Sequence, residues 1–147
     1  MERAHSQILA AAGSLVAEAG LRAVTMAALA RRARVAKATV YNHFRDRDEV
    51  LRALLHAERD ALLAHCAERP RGERLDAAAR WIGQHPVLGG LRAHDPAVVI
   101  GLANAAVHDP HVAEQVAAWA GPSRDADAAT RWLVSFAVTS SVTAELR

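Results

Sequence analysis

Lys37, Thr39, Tyr41, His43 and Arg47 lie close together in the chain, and every one of them can bond an anion. A lysine or arginine neutralises phosphate charge, and threonine and tyrosine hydroxyls donate to phosphate oxygens. An imidazole donates as well, more strongly when protonated. Lys37 stands at the start of a short helical stretch, free to reach a base edge or a phosphate. Arg47 stands at the start of the next stretch, where helix N-termini attract anions. Val40 and Phe44, four positions apart, would turn inward against Leu29 and Val50. The chemistry is that of contact with nucleic acid. A plainer reading stays open: Tyr41 as a core aromatic, Lys37 and Arg47 as solvated charges.

Other chemistry is weaker. His65-Cys66 and His108-Asp109-Pro110-His111 contain metal-ligand types. Asp109 is better placed as a helix cap, and spacing fixes no third ligand, so no metal and no cofactor is expected. Adjacent positions on a helix do not face one another, so His65 cannot activate Cys66. The chain has no Gly-x-Ser-x-Gly, no Walker glycine loop and no His-Glu-x-x-His. No catalytic residue is expected, and no enzyme.

The elements that must position these residues read as helices. The chain has 147 residues, 52% hydrophobic and 23% charged, enough for a small head and a second helical body. Residues 1–60 hold ten Lys/Arg against seven Asp/Glu, and residues 61–147 hold eight against nine. The basic excess therefore sits beside the anion-bonding residues. The one cysteine excludes a disulfide within the chain and suits a reducing, cytoplasmic setting. The first residues do not resemble a signal peptide, and Pro96–Val107 is too short to span a bilayer, so no membrane role is expected.

Ile8, Ala12, Leu15, Val16 and Ala19 share one helical face, which Gly20 ends as a C′ residue. Thr25 caps a short helix bearing Met26, Leu29, Ala30 and Ala33. A third helix runs from Lys37 to Phe44. Asp46 and Glu49 have capping-box spacing at the start of a longer helix towards Pro70. Pro70-Arg71-Gly72 is the clearest linker. Beyond it the pattern predicts one helix with Leu75, Ala78, Ala79 and Ile82, stopping before Pro86. Two more are opened by Asp95-Pro96 and Asp109-Pro110 as N-cap plus N1 proline, with Gly121-Pro122 breaking the second. A last helix runs from about Asp127 to Leu146. The expected fold class is all-α.

Two short helices joined by a tight turn make a helix-turn-helix pattern, in which the second helix enters the major groove. At these residues the sequence resembles the tetracycline-repressor (TetR) family. The resemblance rests on Thr25-Met26-Ala27-Ala28-Leu29-Ala30, on Thr39-Val40-Tyr41-Asn42-His43-Phe44 at the right distance, and on Asp48-Glu49-Val50-Leu51, and it covers roughly residues 3–55. It implies DNA contact by Thr25, Lys37, Ala38, Thr39, Tyr41, Asn42, His43 and Arg47. Three positions depart from the family pattern. Arg34 replaces the turn glycine, Ala36 the capping serine, and Ala38 the glycine that brings the backbone near DNA. These changes bear on operator sequence and affinity.

The resemblance also implies a helix-turn-helix domain over residues 1–60, with the motif at 25–44, and a helical effector-binding and dimerisation domain over 61–147. That second part is short for the family. Trp81, Leu102 and Trp119 are candidates to line an apolar pocket for a small apolar effector. Trp132, Phe136, Thr139 and Thr143 form one stripe on the last helix, with Leu133, Ala137, Ser140 and Ala144 beside it. Trp132, Phe136, Ser140 and Thr143 are therefore the candidate homodimer interface; plain intramolecular core is the other reading. The expected function is a ligand-released repressor, binding a palindromic DNA operator as a homodimer. The alternative is a non-sensing DNA-binding dimer whose C-terminal part only dimerises.

Overall fold

The computed structural model of the chain describes residues 2–120 and 125–139. Among the described residues the protein is all-α. α1 (Glu2–Ala19) is followed by a 3₁₀ turn (Leu21–Ala23), α2 (Met26–Ala33), α3 (Lys37–His43) and α4 (Arg47–Ala67). A second 3₁₀ turn (Arg71–Glu73) leads to α5 (Arg74–Gln84), α6 (Pro86–His94), α7 (Pro96–His108), α8 (Pro110–Ala120) and α9 (Ala126–Val138). No helix among the described residues is long and apolar enough to cross a membrane.

Two buried clusters organise these helices. The first joins Ile8, Ala12 and Val16 of α1 to Leu29, Val40, Phe44, Val50 and Leu54, and is completed by Leu91 of α6 and Val99 of α7. Each fully buried Val, Ile or Leu here contributes roughly 1.5–3 kcal/mol. The second joins Cys66, Leu75, Ala78 and Ala79 to Val116, Trp119, Ala129 and Leu133. Burial pushes the Cys66 thiol above its ordinary range, with Arg74 and Arg69 opposing, which leaves it a poor nucleophile.

The sequence pattern misses α6. Pro86 opens it at N1, but Gly89-Gly90 sits in its middle, and glycine lowers helix propensity by about 1 kcal/mol per residue. Packing supplies the reason for Gly90. A Cβ there would stand 2.5 Å from Ala17 Cα and 2.8 Å from Ala17 O, so only glycine lets α6 lie on α1.

Gly20 ends α1 at φ 75°, ψ −173°. That is a region open only to glycine, so Gly20 ends the helix as its type predicts. The backbone then turns into the 3₁₀ segment. Asp95 and Pro96 open α7 as N-cap and first-turn proline, as expected, but the Asp95 side chain does not bond the helix start; Oδ2 accepts the Leu21 N–H at 2.7 Å instead. The third helix is shorter than expected by one residue, since Phe44 is extended at φ −140°, ψ 126°. Asp46 caps α4 as expected, accepting the Glu49 N–H at 2.8 Å, and that bond holds its carboxyl below the usual range. The last helix, expected to run to about Leu146, ends at Val138, because Thr139 is extended at φ −96°, ψ 131°. Gly121-Pro122 and residues 140–147 lie outside the described residues.

Candidate nucleic-acid interface

The interface is built from α2, the turn after it and α3. Thr25 Oγ1 accepts the Ala28 N–H at 3.1 Å, which starts α2 and leaves the threonine proton free to donate outward. α2 is braced on α1 by a two-pronged Arg32–Glu18 pair, both bonds at 2.6 Å. That pair lowers the Glu18 carboxyl and raises the Arg32 guanidinium from their ordinary ranges.

α2 ends in a Schellman turn. The Val35 N–H reaches Ala30 O at 3.0 Å and the Arg34 N–H reaches Arg31 O at 3.3 Å. Arg34 occupies the left-handed region at φ 56°, ψ 43°, the one non-glycine residue with positive φ among those described. An arginine there carries strain of order 1 kcal/mol. α3 then starts at Ala36 with no side-chain cap.

Val40 and Phe44 are buried in the first cluster, as their spacing predicts, and this fixes the rotation of α3. The opposite face is open. Lys37, Ala38, Tyr41 and Asn42 are exposed, Tyr41 at 50%, while Thr39 and His43 are half-buried. The Lys37 ammonium stands 5.9 Å from the centre of the Tyr41 ring, one helical turn on, so cation and phenol act on one surface. His5 of α1 was beyond the reach of local pattern. It stacks on Phe44 with ring centres 4.8 Å apart and meets His43 edge-on at 6.0 Å.

Arg47 is the first residue of α4, as its position in the chain predicts, and two of its nitrogens bond the protein itself. Its Nε donates to Val24 O at 2.9 Å and one terminal nitrogen donates to Leu21 O at 2.8 Å. These two nitrogens tie α4 to the 3₁₀ turn, while Nη1 stands 3.6 Å from Asp48 Oδ1 on the open side.

These elements coincide with a known profile. The family model described as "Bacterial regulatory proteins, tetR family" matches residues 8–54. Residues 8–54 therefore carry a tetR-type DNA-binding region. No curated protein matches the chain. The tetR head makes this a DNA-binding transcriptional regulator, with α2 and α3 as its helix-turn-helix. The match begins at Ile8 and ends at Leu54, both buried in the first cluster. The tetR segment thus stops inside α4, and the body beyond it must be read from its own residues.

There the sequence candidates separate. Trp119 is buried in the second cluster, and Leu102 packs against the first. Trp81 lines a groove at the α5–α6 corner, stacked on His85 with ring centres 3.9 Å apart. The three thus stand in three different surroundings among the described residues. Phe136 packs against the second cluster, whereas Trp132 is 41% exposed and touches Phe136 edge-on at 5.0 Å. Ser140 and Thr143 lie outside the described residues. His108 is engaged with Asn104 O at 2.8 Å and Asp109 accepts the His111 N–H at 2.8 Å. Among the described residues no three His, Cys, Asp or Glu side chains gather as a metal site.

Proposed function

We propose that the protein is an effector-responsive repressor working in the cytoplasm, which binds a near-palindromic operator as a homodimer. The observation that carries this reading is α3 itself. Its inner face is locked by Val40 and Phe44, and its outer face presents Lys37, Ala38, Thr39, Tyr41 and Asn42. Lys37 and Tyr41, with Thr25 at the head of α2 and His43 at the end of α3, contact phosphate. Ala38 meets the groove floor, where its methyl suits a thymine methyl.

One head reads one half-site, so a palindromic operator needs a two-fold dimer. Exposed Trp132 and Val138 on α9, with Val98 and Ile100 on α7, supply apolar surface for the partner. An effector acts only through different affinities for the DNA-bound and released states.

A gel-shift titration with the promoter fragment of the protein's own gene tests the reading. The expected result is binding well above that of random DNA, with two protomers per site by sedimentation. Equal affinity for both DNAs defeats it. The burial of Trp119 and the packing of Leu102 in separate clusters favour a second reading, a DNA-binding dimer without an effector.

A further inference from the structure

The end of α4 and the adjoining face of α5 form a groove of about 450 Å³, walled by His65, Arg69, Arg80, Trp81, Gln84 and His85. No carboxylate lines it. Arg69 and Arg80 are exposed, and neither takes part in an ion pair among the described residues. Glu58 meets His85 Nε2 at 3.1 Å, but it lines a different groove, on the α1 side.

The shape is as specific as the charge. The Trp81 indole and the His85 imidazole stack with ring centres 3.9 Å apart and planes 25° apart, so His85 backs the indole as one aromatic wall. α4 has 21 residues, so this groove lies about 30 Å from the end of α4 that adjoins α3. Arg69 and Arg80 are therefore out of reach of the phosphates that α3 contacts.

We propose that this groove binds a small planar organic anion of the aromatic carboxylate class. Arg69 and Arg80 hold the carboxylate, because guanidinium forks match its two oxygens. The Trp81–His85 wall takes the ring by stacking. The assignment names the effector class for the repressor reading and rests on that reading for its regulatory consequence; binding itself does not.

Calorimetric titration with naphthoate, its neutral amide and inorganic phosphate tests it on the full chain. Naphthoate binds, and the amide binds about tenfold more weakly or worse. Arg69→Gln and Arg80→Gln keep the wild-type melting temperature, and each weakens naphthoate about tenfold. No naphthoate binding, equal binding of the amide, or unchanged affinity in both variants overturns the site. Phosphate binding as tightly as naphthoate overturns the planar part. A parallel gel shift separates the two readings. Promoter binding without naphthoate binding removes this proposal alone, and naphthoate binding without promoter preference removes the regulator reading alone.

Discussion

Asp95 at the α6–α7 corner accepts the Leu21 backbone N–H at 2.7 Å, across 74 positions of sequence. The Leu21 carbonyl in turn accepts from Arg47 at 2.8 Å. One 3₁₀ turn thus joins the body of the molecule to the first residue of α4. Replacing Asp95 by Ala leaves a part-buried N–H without its partner, which costs about 1–3 kcal/mol. Urea unfolding of Asp95→Ala against wild type measures it. An unchanged midpoint would show that water replaces the carboxylate fully.

Arg34 and Ala36 weaken the turn that sets α3. Arg34→Gly relieves a left-handed arginine, and Ala36→Ser gives α3 a side-chain cap. Each is expected to stabilise the protein by about 1 kcal/mol. Thermal unfolding reads this as a rise in melting temperature for both single variants.

Lys37 and Arg47 separate by readout. Lys37 is exposed, so Lys37→Ala leaves stability near wild type while weakening operator binding. If Lys37 contacts phosphate, the slope of log affinity against log salt falls by about 1. Arg47→Ala takes the side-chain donor from two part-buried carbonyls, Val24 O and Leu21 O, the latter keeping only the Val24 N–H, and lowers stability first. Salt titrations of DNA binding together with urea curves distinguish the two. Lost stability in Lys37→Ala with DNA affinity intact would reverse the assignment.

Acid sensitivity follows from His85. Burial holds its imidazole below the ordinary range, with the Glu58 carboxylate pulling the other way. Unfolded, the group titrates near about 6.5. Below that value the unfolded chain takes up a proton that the folded chain refuses, so stability falls with pH until the folded imidazole also titrates. His85→Gln is expected to lose less stability than wild type between about pH 7 and about pH 5. Parallel pH profiles for the two proteins would exclude the effect.

Gly90→Ala tests the α1–α6 contact. The added methyl meets the α1 backbone, which cannot move aside as a flexible side chain would. Overpacking of this kind costs about 1–3 kcal/mol or more. A melting temperature equal to wild type would mean that α6 slides on α1 without penalty.

The helix-turn-helix is legible in sequence because its determinants are local. Val40 and Phe44 bury one side of α3 at a spacing of one turn, and Thr25 and Asp46 cap through their own neighbours. Arg34 shows the same rule at a turn: the glycine position of the pattern does carry positive φ. What sequence hides is long-range. Gly89-Gly90 reads as a break until the α1 backbone is seen beside Gly90. Asp95 reads as a cap until Leu21 is seen opposite. Arg47 reads as an anion site, and only the fold shows Leu21 O and Val24 O taking two of its donors. His5 gives no local sign of stacking on Phe44. The charged groove near Trp81 is hidden for the same reason, since only the fold brings Arg69, just past α4, and Arg80, on α5, to line one groove.

The first cluster has a bearing on how such regulators can be rebuilt. Its floor is tetR sequence, but Leu91 and Val99 form its roof. Cut away at the end of α4, the head would expose the apolar surface those two side chains cover. The DNA-reading end is therefore not a detachable cassette. A chimera that transplants residues 1–60 onto another body must carry a matching α6 and α7, or it inherits an open core. New operator specificity is better sought by replacing Lys37, Ala38, Tyr41 and Asn42 in place, where the exposed face of α3 tolerates change without touching that roof.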